Sequence, residues 1–240
     1  MRALIPAAAI AAFLSLALAQ PASGGLLVVT TNLRQVYPGS VDPARMQRYV
    51  DRLLSLAGRS PDVLLLQEVY RPTVRKLARA LRRKTGYRYV IAAGARARWR
   101  HRMPNGVIQL RETAVLVKVA TMSCSKRGSV VTKGKLAKEN VWAVCNGLMF
   151  LSAHLQHAEN KERAAWTRQI IALGADVIGG DFNANANLRH YGRMMKRAGY
   201  QQVTPWGGVD FIFTKSGGHP MRRDTGPRTY SDHRLRAATL

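Results

Sequence analysis

The chain has 240 residues, of which 47% are hydrophobic and 21% charged, so a disordered, collagen-like or coiled-coil chain is excluded. Its 38 Lys and Arg residues outnumber 13 Asp and Glu residues and give a formal net charge of +25. Such a charge suits a polyanionic partner such as nucleic acid, an anionic membrane surface or a phosphorylated substrate. The length is enough for one domain with a sizeable core.

Residues 1–19 have the layout of a secretory signal peptide. A basic start, Met1-Arg2, precedes an apolar run over 3–18, and Ala17-Leu18-Ala19 fits a small-residue cleavage site. The run is shorter than the roughly 20 residues that a membrane-spanning helix needs. We predict a signal peptide over 1–19, a single secreted domain over 20–240 and no stable membrane insertion after cleavage. An uncleaved N-terminal anchor is the alternative.

Periodicity along the rest of the chain predicts an α/β domain. Strands are predicted at 26–32, 63–68, 87–92, 113–119, 129–132, 141–145, 148–153, 175–179, 209–214 and 235–239. Helices are predicted at 43–57, 72–85, 159–173 and 188–198. Much β structure without strict βαβ alternation favours two stacked sheets over one open parallel sheet.

The chain has two cysteines, Cys124 and Cys145, without a C-x-x-C spacing. An exported chain meets an oxidising compartment, and the residues between the two cysteines can form a hairpin that a disulfide closes. We predict this disulfide. Two buried thiols are the alternative.

Polar residues lie at the ends of several predicted strands. They are Asn32, Glu68, His154, Asp181, Asn183, Asp210 and the pair Asp232-His233. A lone Glu after a strand is usually a surface residue, and a lone His is usually structural. Four of the 13 carboxylates fall at these positions, however, in a composition that avoids acid. Strand ends converge at one edge of a layered α/β domain, so the pattern predicts a site there.

The short sequence blocks around these residues occur in an order that is found in a known protein family. They are Thr31-Asn32, Leu66-Gln67-Glu68, Ser152-Ala153-His154, Gly180-Asp181-Phe182-Asn183, Val209-Asp210-Phe211-Ile212 and Ser231-Asp232-His233. Over residues 26–240 the chain resembles the endonuclease/exonuclease/phosphatase superfamily of metal-dependent phosphodiesterases. The resemblance implies a hydrolase acting on ester bonds. It also implies a four-layer α/β/β/α sandwich, with two stacked mixed sheets flanked by helices.

The resemblance implies roles for most of these residues. Glu68 would be the main ligand of Mg²⁺, or of Mn²⁺, with Asn32 and Asp232 beside it, since Mg²⁺ prefers oxygen ligands. Asp181 would orient or deprotonate the attacking water, and Asn183 would donate to the phosphate. If their short stretch is extended, both of these side chains point the same way.

The resemblance also implies two histidines at the phosphate. His233 would contact the scissile phosphate, held by Asp210, because a carboxylate fixes the imidazole tautomer and raises its basicity. His154 resembles the second histidine of the deoxyribonuclease branch, where a Glu supports it. Glu112, which precedes a predicted strand, is our candidate for that partner. An exposed charge at the start of a strand is the alternative.

Residues 69–111 contain no Asp or Glu and 13 Lys or Arg residues. Four of these alternate around Trp99, in a segment without apolar periodicity, and are predicted to form a loop that binds nucleic-acid phosphates: Arg96, Arg98, Arg100 and Arg102. A second basic hairpin is predicted to contain Lys126, Arg127, Lys133, Lys135 and Lys138. A solvated surface is the alternative interpretation of the arginine loop.

Positive charge spread along the whole chain fits a long polyanion better than a small phosphate. We therefore predict a secreted, monomeric, metal-dependent nuclease that hydrolyses DNA or RNA phosphodiester bonds by in-line water attack. One alternative is a phosphatase or phosphodiesterase acting on inositol-phosphate, lipid or other small phosphate esters. Another is a non-catalytic nucleic-acid-binding protein on the same scaffold.

Overall fold

The computed structural model describes part of the chain: residues 25–33, 36–37, 42–94, 100–102, 108–110, 112–132, 138–155, 160–183, 188–204, 208–220, 231 and 233–240. The predicted signal peptide lies outside these residues, as do Asp232, Arg96 and Arg98. Within the described residues, no helix is both long enough and apolar enough to cross a membrane.

Helices and strands follow one another in the predicted order. The described helices are α1 (Pro43–Ala57), α2 (Arg71–Thr85), α3 (Asn160–Ala172) and α4 (Leu188–Arg197). The described strands are β1 (Leu27–Asn32), β2 (Val36–Tyr37), β3 (Val63–Gln67), β4 (Tyr89–Gly94), β5 (Arg100–Arg102), β6 (Ile108–Leu110), β7 (Thr113–Lys118), β8 (Cys124–Val131), β9 (Glu139–Cys145), β10 (Leu148–His154), β11 (Val177–Asp181), β12 (Gln201–Gln202), β13 (Asp210–Thr214), β14 (His219–Pro220) and β15 (Arg236–Thr239).

Most strands belong to two mixed sheets of six strands each. Sheet 1 has the order β14-β15-β1-β3-β7-β4, and sheet 2 has the order β12-β13-β11-β10-β9-β8. The pairs β1–β3 and β10–β11 are parallel, and the other described pairs are antiparallel. A small third sheet has the order β2-β6-β5.

Side-chain alternation along the central strands creates three apolar layers. Val29 of β1 packs in a cluster with Leu53 of α1, on the helix side of sheet 1. Its neighbour Val28 packs between the two sheets. On the outer side of sheet 2, Ile178 of β11 packs in a cluster with Trp166 of α3. Helices therefore cover both outer faces, and the predicted four-layer α/β/β/α sandwich is confirmed.

Helix α1 begins and ends where the sequence indicates. The Asp42 carboxylate accepts a hydrogen bond from the backbone N–H of Ala44 at 2.9 Å, and Pro43 takes the first helical position. Gly58 ends the helix in the left-handed conformation, with a φ of 65°. Helix α2 ends in the same way at Gly86, whose φ is 78°.

The segment around Arg100 differs from the prediction. Arg100–Arg102 form strand β5, which pairs with β6, whereas the sequence predicted a loop. A strand of three residues contains too little apolar alternation to be recognised from sequence. The structure does not describe the side chains of Arg100 and Arg102, so their predicted contact with substrate stays a prediction, as it does for Arg96 and Arg98.

The predicted disulfide between Cys124 and Cys145 is confirmed. The two cysteines are register partners across the antiparallel pair β8–β9, with their Cα atoms 3.9 Å apart. Cys145 is buried in the layer between the sheets. The disulfide therefore closes the hairpin at its open end, opposite the connection between the two strands.

A glycine allows the two sheets to approach closely. A Cβ atom added to Gly179 of β11 would lie 2.5 Å from Leu65 Cδ1 and 3.3 Å from Thr30 Cβ. Leu65 and Thr30 are fully buried residues of sheet 1. Any side chain at position 179 must therefore displace Leu65 or separate the sheets.

We expect Gly179→Ala to destabilise the protein by about 1–3 kcal/mol, because it overpacks the layer between the sheets. Leu65→Ala removes the obstructing methyl groups, so the two substitutions should show favourable coupling in a double-mutant cycle. Urea unfolding of the four proteins measures this coupling. Strictly additive losses in the free energy of unfolding would contradict the close approach of Gly179 to Leu65.

Candidate active site

The layer between the sheets changes from apolar to polar at one end. From the core toward this end, the inward positions are Val28, Thr30 and Asn32 in β1, Phe150, Ser152 and His154 in β10, and Val177, Gly179 and Asp181 in β11. All of them are buried. The strand period of two thus places a buried amide, an imidazole and a carboxylate at the same end of this layer.

Strand pairing puts Asp181 at the centre of this end. In β11 it is the register partner of His154 on the parallel strand β10. It is also the register partner of Asp210 on the antiparallel strand β13. The backbone thus fixes the order His154, Asp181, Asp210 across sheet 2.

Two sets of buried hydrogen bonds join the sheets here. Asn32 Nδ2 of sheet 1 donates to Asp181 Oδ2 of sheet 2 at 3.0 Å. Deeper in the layer, Gln67 Nε2 donates to Ser152 Oγ at 3.0 Å, and Ser152 Oγ donates to the backbone carbonyl of Leu66 at 2.9 Å. A buried donor or acceptor without a hydrogen-bond partner would cost free energy in this layer. These bonds therefore fix how the two sheets align at the site.

Glu68 reaches the site because its backbone leaves the strand conformation. By alternation it would follow Leu64 and Leu66 into the helix-side layer. Its φ is 49°, in the left-handed region that residues other than glycine disfavour. Its Oε1 atom instead lies 3.5 Å from His154 Nε2, and the residue is only 6% exposed. The unusual backbone thus delivers a buried carboxylate to the site.

Asp181 and Asn183 are linked by a local turn. The stretch is not extended, since Asn183 has a φ of 47°, so the condition for both side chains to point the same way is not met. Its backbone N–H donates to Asp181 Oδ1 at 2.8 Å, and its Nδ2 donates to Asp181 Oδ2 at 3.1 Å and to the Leu155 carbonyl at 2.7 Å. Asn183 therefore fixes the carboxylate of Asp181, and its predicted donation to a phosphate would require releasing one of these bonds.

Asp181 is held in its ionised form. Burial raises its pKa, but the hydrogen bond and charge of His154, the charge of His233 and the hydrogen bond from Asn32 outweigh burial and lower the pKa to about 2. His154 Nε2 lies 3.4 Å from Asp181 Oδ2, and His233 Nε2 lies 3.9 Å from the same oxygen. One carboxylate oxygen therefore lies near both imidazoles.

His233 and Asp210 form a close pair. His233 Nδ1 lies 2.9 Å from Asp210 Oδ2, and the backbone N–H of His233 donates to Ser231 Oγ at 3.1 Å. Burial raises the pKa of Asp210 to about 6, although the hydrogen bond to His233 acts in the opposite direction. The pair holds the ring so that Nε2 is the nitrogen nearest Asp181.

Lys138 also lies in the site, although the sequence analysis assigned it only to a basic hairpin. It is only 4% exposed, and its Nζ contacts His154 Nε2. Burial, together with the Lys138 charge, lowers the pKa of His154, and the carboxylates of Asp181 and Glu68 offset only part of this. Burial therefore disfavours the protonated form of the His154 ring.

Glu112 is buried, so the alternative of an exposed strand-start charge was wrong. Its backbone carbonyl accepts a hydrogen bond from the Val69 N–H at 3.1 Å, next to the Glu68 turn. Within the part of the chain that the structure describes, His154 Nδ1 has no hydrogen-bond partner. Support of His154 by Glu112 stays a prediction.

The donors gathered here fit a hard divalent cation. Asp181, Asp210 and His233 each offer one atom within 4.8 Å of the others. Glu68 adds a buried carboxylate and Asn32 a buried amide. Carboxylate and amide oxygens are the ligands that Mg²⁺ takes, and they also suit Mn²⁺. This group of three differs from the predicted ligands, so the roles of Glu68 and Asn32 as metal ligands stay predictions, and the third predicted ligand, Asp232, lies outside the described residues.

The sequence matches the endonuclease/exonuclease/phosphatase family over residues 29–233. The chain belongs to this family, whose members are hydrolases acting on phosphoester bonds and are generally dependent on a divalent metal. The protein is therefore a phosphoester hydrolase. A sequence search of the curated proteins finds no significant match.

Solved structures share the fold at low sequence identity. The mannosyl-6-phosphatase of Bacteroides thetaiotaomicron VPI-5482 is 14% identical, with a TM-score of 0.60 over 90% of this chain and 99% of that chain. TDP2 of D. rerio, complexed with a single-strand DNA product, is 18% identical, with a TM-score of 0.58 over 89% of this chain and 98% of that chain. A family member from Beutenbergia cavernae DSM 12333 is 16% identical, with a TM-score of 0.63 over 90% and 72%. These likenesses establish the fold.

The backbone at Glu68 generates a stability prediction. Glu68→Gly and Glu68→Ala both remove the carboxylate and should both abolish hydrolysis. Only glycine accepts a positive φ freely, so Glu68→Gly should be more stable than Glu68→Ala by about 1 kcal/mol. Urea unfolding in EDTA measures the free energy of unfolding of both variants. Equal stability, or a more stable alanine variant, would show that the position is unstrained.

The lowered pKa of His154 generates a pH prediction. Below its ordinary value of 6.5 the unfolded chain binds a proton that the buried ring resists. Wild type should therefore lose stability relative to His154→Gln as the pH falls from 7.5 to 5.5, by up to about 1.4 kcal/mol per pH unit. Urea unfolding at both pH values measures this, with the exposed His219→Gln as the matched control. If wild type and His154→Gln differed in free energy of unfolding by the same amount at both pH values, burial of a neutral ring would be contradicted.

Proposed function

We propose that the protein is a secreted, divalent-metal-dependent nuclease that hydrolyses DNA or RNA phosphodiester bonds. The observation that carries this proposal is the buried Asp181 carboxylate, with His154 at 3.4 Å and His233 at 3.9 Å from one of its oxygens. This arrangement provides an ionised acceptor for a water and an imidazole nitrogen on each side of it.

Two carboxylates have different tasks in this proposal. Glu68, with Asn32 and Asp232, would hold the cation, which when bound polarises a phosphate oxygen as a Lewis acid. Asp181 accepts hydrogen bonds from Asn32 and Asn183, so its orientation is fixed before substrate arrives. A fixed, ionised carboxylate can align the attacking water and accept its proton.

His233 is the proposed contact to the scissile phosphate. Asp210 at 2.9 Å fixes the proton on Nδ1 and stabilises positive charge on the ring. Nε2 then faces the site, where it can exchange a proton with a phosphate or leaving-group oxygen. Stabilisation of developing negative charge by such a group commonly contributes a factor of roughly 10²–10³ to the rate.

Surface charge supports a polyanionic substrate. Helix α2 begins at Arg71, three residues beyond Glu68, so its cationic face starts beside the site. Its exposed basic residues are Arg71, Arg75, Lys76, Arg79, Arg82, Arg83 and Lys84. Together with the net charge of +25, this face suits a polymer of phosphates. The fold shared with TDP2, crystallised with a DNA product, is compatible with such a substrate.

A phosphatase acting on small phosphate esters is the second candidate. The fold shared with a mannosyl-6-phosphatase favours it, because that relative is named for a sugar phosphate. The same site chemistry serves monoesters and diesters, so the substrate preference rests on the surface charge. Secretion and a monomeric state also belong to the proposal, on the basis of the sequence alone.

The nuclease proposal predicts nicking of supercoiled plasmid in Mg²⁺ that EDTA abolishes. His233→Ala should reduce nicking by at least about 100-fold, since it removes a phosphate contact, yet leave plasmid binding intact. That binding should weaken steeply between 50 and 200 mM salt, as roughly 10³-fold losses are usual for several phosphate contacts. Gel electrophoresis measures nicking, and fluorescence anisotropy measures binding.

Hydrolysis of p-nitrophenyl phosphate without plasmid nicking would favour the phosphatase candidate. Tight binding without any hydrolysis would favour a non-catalytic protein. Undiminished nicking by His233→Ala would contradict the role given to the His233–Asp210 pair.

A further inference from the structure

We propose that the cleft between one edge of sheet 1 and the facing edge of sheet 2 binds a single nucleic-acid strand outside the active site. This inference rests on the proposed nuclease function and concerns the part of the substrate that is not cleaved. The two edges are strand β4 of sheet 1 and strand β8 of sheet 2. We call the space between residues 88–92 and residues 124–127 the edge cleft.

The edge cleft has walls from both sheets. Residues 88 and 90–92 line one wall, and residues 124–127 of β8 line the other. Residues 119, 122 and 123, from the connection between β7 and β8, also line it. Its volume of about 530 Å³ lies in the range of sites that enclose a bound group.

A smaller recess extends the edge cleft toward the active site. Residues 93–94 of β4, 127–129 of β8 and 139 and 141 of β9 line this recess, which has a volume of about 70 Å³. Arg127 lines both spaces. Glu139 follows Lys138 in the chain, and Lys138 Nζ contacts His154. A strand held in the edge cleft therefore leads toward the active site.

The described lining of the edge cleft contains three cations and no carboxylate. The cations are Arg88, which directly precedes β4, and Lys126 and Arg127 of β8, and all three are exposed. None of these side chains forms an ion pair with another residue that the structure describes. Nearby Lys118 differs, because it is buried and its Nζ lies 2.6 Å from Asp62 Oδ1. The three exposed cations are therefore available to phosphate oxygens.

Gly128 determines the direction of Arg127. A Cβ atom added to Gly128 would lie 2.5 Å from Trp142 Cζ2. Trp142 packs against the apolar cluster on the outer side of sheet 2. Because side chains alternate along a strand, Arg127 points to the opposite side of sheet 2, which faces sheet 1. Its guanidinium group is thus directed into the edge cleft.

The dimensions of the edge cleft favour one strand of nucleic acid. Stacked sheets lie about 10 Å apart, so the space between their edges admits a single strand and excludes a double helix. Val90, Val117 and Met122 provide an apolar surface for sugars and bases. No aromatic side chain belongs to the described lining, so phosphate contacts, and not base stacking, would supply the affinity.

The test compares Arg88→Gln/Arg127→Gln, the cleft variant, with Arg193→Gln/Arg197→Gln. The control removes two exposed cations from α4, which covers the outer side of sheet 2, so both variants lose the same charge. Every protein also carries His233→Ala, so that the substrate is bound in Mg²⁺ without being cleaved. Fluorescence anisotropy measures binding of a fluorescein-labelled oligothymidylate of 20 nucleotides between 50 and 200 mM salt.

The cleft variant should bind the oligothymidylate about tenfold more weakly at 50 mM salt. Its plot of log affinity against log salt should be shallower by about 1.4, since each phosphate contact of a single strand contributes about 0.7 to the slope. The α4 control should keep the slope of the parent protein. An unchanged slope in the cleft variant, or no binding by the parent protein, would overturn the proposal.

A duplex of the same length tests the shape of the edge cleft. Its affinity should fall by less than about threefold in the cleft variant, because a double helix does not enter the space between the sheets. Equal losses for duplex and single strand would assign the two arginines to general surface charge and overturn the proposal.

Cations on edge strands also prevent pairing with a second copy of the chain. Dimers of the cleft variant in light scattering, together with an unchanged slope, would assign the arginines to that role and overturn the proposal. If wild type cleaves no nucleic acid but the predicted binding differences appear, the nuclease proposal fails and the edge cleft keeps its role. If wild type cleaves and the slope is unchanged, only the edge cleft fails.

Discussion

The distance between the two sheets at one end of the sandwich controls the whole site. Asn32 belongs to sheet 1 and Asp181 to sheet 2, and their buried hydrogen bond spans the layer between them. Gly179 leaves room for the side chains of Leu65 and Thr30, so the two sheets can approach each other closely. The bond from Gln67 to Ser152 repeats the same connection deeper in the layer. A site assembled across two sheets thus depends on packing that involves none of its own reactive groups.

Local pattern predicted most of the fold and much of the site. Apolar runs that end in polar residues identified the strands carrying Asn32, His154 and Asp181, because alternation and strand ends are properties of short stretches. Such reasoning could not predict the turn at Asn183 or the left-handed backbone of Glu68, since contacts with distant strands impose them. The strand at Arg100–Arg102 was missed because its pairing partner, and not its own sequence, defines it.

Lys138 shows a different limit of the sequence. It follows several other cations of one hairpin, and nothing in its immediate neighbours distinguishes it from the exposed Lys126. Its Nζ contacts His154 of β10, and its backbone carbonyl accepts a hydrogen bond from Asn140 of β9, and only the folded sheet brings these residues together. Buried charge generally needs partners from several segments, so single-sequence reasoning tends to assign such residues to the surface.

The order of elements along the chain has a consequence for biosynthesis. Strand β15 pairs with β1, so the first and last strands of sheet 1 in chain order lie side by side. His233 precedes β15 and follows every other residue described in the site. A growing polypeptide therefore has Glu68, His154 and Asp181 long before it has His233. A nascent chain that has not yet reached residue 233 lacks the imidazole that Asp210 holds, so the proposed phosphate contact becomes available only after the strands that carry Glu68, His154 and Asp181 have been translated.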